Sequence, residues 1–147
     1  MTQEERDVIH KDVCCRLPYH PYAAYTLDDG TIVQAQLTGA DDGQYYGYIL
    51  DTWGHIPDYN VKLYLRPMSS MTDEELDKLR NYTGLLYDNL DLASFQNGSY
   101  KCLDFYLSEI PTDVVIKVFD WLHMHYFDYR GLISMGLALE APEGIYS

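Results

Sequence analysis

YTLDDGTIVQAQL, residues 25–37, reads as strand, tight turn and strand, and it decides the fold. Thr, Ile and Val favour a pleated backbone, while Asp28-Asp29-Gly30 supplies the polar, glycine-ended punctuation of a hairpin. Working outward, Asp41-Asp42-Gly43 breaks the chain again before Gln44 to Thr52, a run rich in Tyr and Ile. Val61 to Leu65 is a further β-prone run, stopped at Arg66-Pro67. The first half therefore predicts mainly antiparallel sheet. On the amino-terminal side, Thr2 followed by Glu5 has the form of a capping box. Val8, Ile9 and Val13 can share an apolar side, which predicts a short helix over about 3–12.

Thr72 to Glu75 repeats the capping logic, with Asp73, Glu74 and Glu75 where a helix amino terminus favours negative charge. A helix over 73–82 with Gly84 as its stop follows. Asp88 to Ser99 reads as an irregular connection, and Tyr100 to Ile110 as β-like again. Pro111-Thr112-Asp113 then opens the strongest helix, in which Val115, Val118, Phe119, Leu122 and Tyr126 recur at three- and four-residue steps. After Gly131 the pattern allows a second short helical stretch through Leu137. The expected fold is α+β, a single domain over 1–147. A curved antiparallel sheet, built from the first half plus a strand near 100–108, packs against the helix at 112–126, with one or two further short helices. A chain of 147 residues buries enough surface for one core without metal or disulfide staples.

A formal net charge of −13 repels phosphate backbones and anionic lipid surfaces, which argues against direct nucleic-acid or membrane partners. The same field suits a basic partner, including a nucleic-acid-binding protein whose groove it would occupy, although acidity also simply keeps a protein soluble. No window approaches a membrane span, and the start MTQEERDVIHKDVCC lacks the basic then apolar pattern of a secretory signal, so a cytoplasmic setting is expected. Three cysteines without Cys-x-x-Cys spacing indicate neither a disulfide framework nor a zinc clip.

Candidate chemistry is weak throughout. His123 and His125, with Asp128 and a distant His55, invite a metal. Residues two apart on a helix, however, diverge by about 200°, so both imidazoles face one ion only where the helix has ended. Cys14 or Cys15 with His10 or His20 could be drawn as nucleophile and base, but no third partner or oxyanion turn accompanies them. Arg66 to Thr72 brings an arginine and three hydroxyls to a helix start, as phosphate sites do, yet Asp73, Glu74 and Glu75 crowd the same end. No cofactor and no catalytic residue is assigned. The fifteen tyrosines are the stronger signal, because Tyr gives large, rigid contact area with a polar tip. The candidate binding residues are Tyr45, Tyr46, Tyr48 and Trp53, with His125, Asp128, Tyr129 and Arg130 as a second group.

Three stretches, KDVCCRLPY at 11–19, VKLYLRPMSSMTDEE at 61–75 and WLHMHYFDYRGLISMGLALEAPEGIY at 121–146, resemble a group of small uncharacterised proteins of gut Bacteroidetes, their phages and integrated mobile elements. The resemblance implies a bacterial or phage cytoplasmic setting and carries no activity, cofactor or site residue. The expected function is a non-enzymatic interaction protein that binds and modulates a protein partner through an acidic, tyrosine-rich surface. The alternatives are a small-ligand binder or enzyme with a pocket near His123, His125, Asp128 and Arg130, and a phage structural or assembly component.

Overall fold

The computed structural model describes residues 1–41, 44–84 and 112–146, with the side chains of Tyr59 and Thr112 left aside. The class is α+β: helices α1 (Gln3–Arg16), α2 (Asp73–Thr83) and α3 (Thr112–Met124) accompany strands β1 (Tyr22–Thr26), β2 (Ile32–Asp41), β3 (Gln44–Ile49), β4 (Thr52–Pro57), β5 (Val61–Leu65) and β6 (Ala138–Glu140). Two compact units divide this chain, Met1–Leu65 with Gly131–Ser147, and Arg66–Arg130. Each has its own hydrophobic cluster. The strand expected near 100–108, the connection at 88–99 and the Asp42-Gly43 turn lie outside the described residues.

The first unit is a sheet of order β4-β3-β2-β1-β5-β6 among the described strands. The predicted hairpin is present: Leu27 donates to Thr31, Gly30 to Leu27, and Asp29 Oδ1 accepts from the Thr31 amide. Gly30 takes φ +86°, the left-handed geometry that makes glycine the natural residue there. The run at 44–52 is not one strand. It breaks at Leu50-Asp51, which joins β3 to β4 in register Ile49 to Thr52. Both turn residues have positive φ, +48° and +67°, as a two-residue type I′ hairpin demands. Asn-Gly is the favoured pair for that geometry, so the break carries no sequence signal. Replacing Leu50-Asp51 by Asn-Gly should therefore stabilise the fold by about 0.5–2 kcal/mol, read as a higher urea midpoint with unchanged slope.

Alternation sends Ala23, Ala35, Leu37, Tyr45, Ile56, Val61, Leu63 and Leu65 to one face, where Ile9 and Val13 of α1 and Leu132 and Leu137 join the cluster. α1 is longer than expected because its buried stripe, Ile9, Asp12, Val13 and Arg16, recurs at helical spacing but is half charged. Asp12 and Arg16 are both 0% exposed and paired at 2.8 Å. The carboxy-terminal segment corrects two expectations. Residues 132–136 form turns in place of a helix, and Ala138–Glu140 pairs with β5 in parallel, making the sheet mixed. The hydroxyl of Tyr146 then accepts from the Tyr22 amide at 2.9 Å and donates to the Tyr64 carbonyl at 2.7 Å. It stands where β1 and β5 would otherwise continue their ladder.

In the second unit the predicted capping box is complete: Thr72 Oγ1 accepts from the Glu75 amide, and the Glu75 carboxylate accepts from the Thr72 amide. Gly84 closes α2 at φ +71°. α3 buries Val118, Trp121 and Leu122 in a cluster with Met68, Met71, Leu76, Leu79 and Phe127, so the described partners of its apolar stripe include α2, the turn before it and Phe127 just past the helix end. It ends at Met124, not 126. The Phe127 amide reaches back to Leu122 and the Tyr126 amide to His123, a Schellman stop with Tyr126 at φ +62° where glycine is usual.

Candidate functional site

The outer face of β2–β4 collects exposed aromatic side chains. β3 sends Tyr45 inward and Tyr46 and Tyr48 outward, as a period of two requires. Opposite them on β4, Tyr46 pairs with His55 and Tyr48 with Trp53. The rings of Tyr46 and Trp53 stack diagonally at 5.9 Å and 16°, and Tyr46 meets His55 at 4.7 Å. Trp53 is nevertheless 56% exposed and Tyr48 46%. The row continues through Gln36, paired with Tyr48, to Tyr22 on β1.

Polar contacts fix this arrangement. Tyr46 donates its hydroxyl to Asp41, a bond that raises the Tyr46 pKa above the usual tyrosine value. Trp53 Nε1 donates to Thr38 Oγ1 at 3.4 Å. His55 Nδ1 lies 2.7 Å from Gln44 Oε1, and since an amide oxygen only accepts, Nδ1 is assigned the proton. Thr38 is the bulged residue, where the β2–β3 register shifts between Leu37 and Gly39. That extra residue brings β2 into reach of Trp53. The rings of Tyr46, Trp53 and His55 are thus held in place before any partner arrives, which limits the ordering entropy of binding.

Charge singles out the same half of the sheet. Between Leu17 and Val61 the sequence carries six aspartates and not one lysine or arginine. β1 to β4 and their turns therefore carry no lysine or arginine of their own, while Lys62 of β5 stands opposite Ala24 at the β1 end. An exposed Trp and Tyr with surrounding carboxylates suit a cationic side chain, which gains both Coulomb attraction and ring-face contact.

Tyr45 departs from the expected binding set. It is 2% exposed and sits in the core, where burial, then Asp58, Cys14 and Asp12, raise its pKa. His55, weighed from sequence only as a metal ligand, belongs to the outer face. The second predicted group lies in the second unit. His123, buried, has Nε2 2.7 Å from the Tyr129 hydroxyl. His125 lies against Trp121 at 4.2 Å, and the Arg130 guanidinium lies over the Tyr129 ring. Asp128 is buried, its amide donating to the Arg66 carbonyl. Arg66 makes two bonds to Glu75 and stacks on Phe127 at 4.2 Å. Burial opposes the Glu75 charge, but Arg66 and the Thr72 cap outweigh it and hold the carboxyl below its usual range. A carboxylate thus occupies the helix start that could have taken phosphate. Among the described residues no group of three His, Cys, Asp or Glu side chains is placed to hold a metal, and no helix is long and apolar enough to cross a membrane. Cys14 Sγ lies 3.5 Å from His10 Nε2, yet burial and Cys15 push its pKa up, away from the thiolate that a nucleophile needs.

Half-burial lowers the His125 pKa, with Arg66 and Lys78 adding to the effect and Glu75 opposing it. A depressed folded-state value means that the neutral ring is favoured in the folded protein. Its contribution is complete above the unfolded pKa, about 6.5, and is lost as pH falls through the folded value. His125→Phe, which keeps a ring against Trp121, should therefore flatten the loss of stability between about pH 7 and pH 5. Urea titrations at the two pH values check this.

Comparison with protein-family models, curated proteins and solved structures finds no match for the chain.

Proposed function

We propose that this chain is a non-enzymatic interaction protein, of phage or mobile-element origin and acting in the cytoplasm, that binds and modulates a basic protein partner through the outer face of β3 and β4. The observation that carries the reading is the exposed pair Tyr48 and Trp53, set in a stretch that holds aspartate but no lysine or arginine. Exposed aromatic anchors are typical centres of recognition surfaces, and Trp53 is in addition fixed by Tyr46 and Thr38. A single-sign surround favours partners of opposite charge and fast encounter. The origin and setting rest on the resemblance of the three stretches at 11–19, 61–75 and 121–146. His125 lies on Trp121, while His123 and Arg130 are both taken up by Tyr129, through its hydroxyl and its ring face, which weighs against a small-ligand pocket at those residues.

The test is affinity capture from bacterial lysate at low salt, with the native chain and a Tyr48→Thr, Trp53→Thr variant side by side. Both substitutions keep β propensity and outward placement. A partner retained by the native chain should fall at least tenfold with the variant, and should also fall with rising salt. Equal recovery, or no partner retained by either, contradicts the reading.

A further inference from the structure

We propose that the open edge of β4 takes up an extended, arginine- or lysine-bearing segment of the partner as an additional strand; this deepens the function proposed above and rests on it. β4 is terminal among the described strands, and among the described residues nothing pairs with its other side. The closing pair of a two-residue hairpin, here Ile49 with Thr52, is hydrogen-bonded, and alternate pairs follow suit. Gly47 with Gly54 and Tyr45 with Ile56 are therefore bonded pairs in this register. Trp53 and His55 fall between them, so their N–H and C=O groups point away from β3. Among the described residues, the outer edge of β4 thus offers two donors and at least two acceptors at the spacing an extended chain requires.

Edge strands are ordinarily guarded by lysine, by proline or by a bulge. β4 has no charged residue, its proline comes only at Pro57, and the bulge lies two strands away at Thr38. What flanks it is acidic, Asp51 in the turn before it and Asp58 directly after it. A second copy of the chain would bring two such anionic edges together and is disfavoured on charge. A nucleic-acid strand is repelled for the same reason. A basic extended segment meets neither obstacle. Alternate side chains of the added strand lie on the outer face, one strand spacing from Trp53 and His55, where a guanidinium reaches the ring faces.

The probe is an acetylated, amidated peptide of about eight residues, alternating arginine and threonine, added to the full chain. Its alternation fixes which amides face β4 once the arginines lie on the aromatic side. Two derivatives are N-methylated at every second residue, one on the arginines and one on the threonines. Strand addition predicts that one derivative binds at least tenfold more weakly and the other within about threefold of the parent, and that the Trp53 and His55 amides, fast in exchange when free, become protected. Equal affinity of both derivatives, or binding without protection of those two amides, overturns strand addition while leaving the aromatic face as the partner site. Failure of the parent peptide to bind, or tighter binding of a glutamate-threonine peptide or of oligouridylate, overturns it as well. The capture experiment with Tyr48→Thr, Trp53→Thr then decides the broader reading separately. Concentration-dependent dimerisation of the free chain that is lost on adding peptide would assign the edge to a second copy and contradict the basic-partner assignment.

Discussion

Asp12→Ala should destabilise the fold by about 3–5 kcal/mol, enough to exhaust much of the stability of an ordinary domain. The Asp12 carboxylate and the Arg16 guanidinium share two hydrogen bonds at 2.8 and 3.1 Å, and neither side chain is exposed. Removing the acid takes two hydrogen bonds and the balancing charge from a guanidinium that stays fully buried, and desolvation of that charge dominates the loss. The pair itself is a poor stabiliser, since taking two charges out of water offsets most of their attraction. Asp12→Leu with Arg16→Met should consequently recover most of what Asp12→Ala loses. Guanidinium unfolding of the three proteins measures both differences. If the double variant is no more stable than Asp12→Ala, the pair is contributing directly and not merely balancing a buried charge.

Gly47→Ala is the second large effect. A Cβ at this position would stand 2.0 Å from the Gln36 carbonyl oxygen and 3.0 Å from the Leu37 Cα. Both are backbone atoms of β2, so the strand pair itself must move. The expected cost is at least about 3 kcal/mol, at the upper end of overpacking effects. Gly54, directly across the β3–β4 ladder, has nothing within 4 Å of the same position. Gly54→Ala should therefore cost less than about 1 kcal/mol. The contrast between two paired glycines separates a close backbone approach from a general intolerance of side chains in this sheet.

Much of the scaffold was legible because it rests on local chemistry. Thr2 with Glu5, and Thr72 with Glu75, name two helix starts through side chains that satisfy their own backbone donors. Asp28-Asp29-Gly30 names a turn through a glycine that tolerates positive φ. What escaped depended on distant partners. Leu50-Asp51 adopts a turn that its own side chains disfavour, held by the ladder on either side. Ala138–Glu140, short and without β-branched residues, becomes a strand only because β5 offers an edge. Asp12 and Arg16 interrupt the apolar pattern of α1 because they neutralise each other inside.

The candidate face was half legible for the same reason. Tyr46 and Tyr48 lie in the β-prone run at 44–52, whose alternation puts Tyr45 on the opposite face from both, and Trp53 follows directly after it. His55 could be placed only through its pairing with Tyr46, which requires the unsignalled turn at Leu50-Asp51. The second group, at His123 to Arg130, looked like a site because polar and aromatic residues crowd the sequence there. In the fold the crowding serves to stop α3 and to seat Arg66 on Phe127.

Hydrogen exchange followed by mass spectrometry, on the native chain free and bound to its captured partner, tests the recognition surface most directly. Protection concentrated in residues 44–57, with 121–130 unchanged, is the predicted result. Protection at 121–130 with 44–57 unchanged would contradict it.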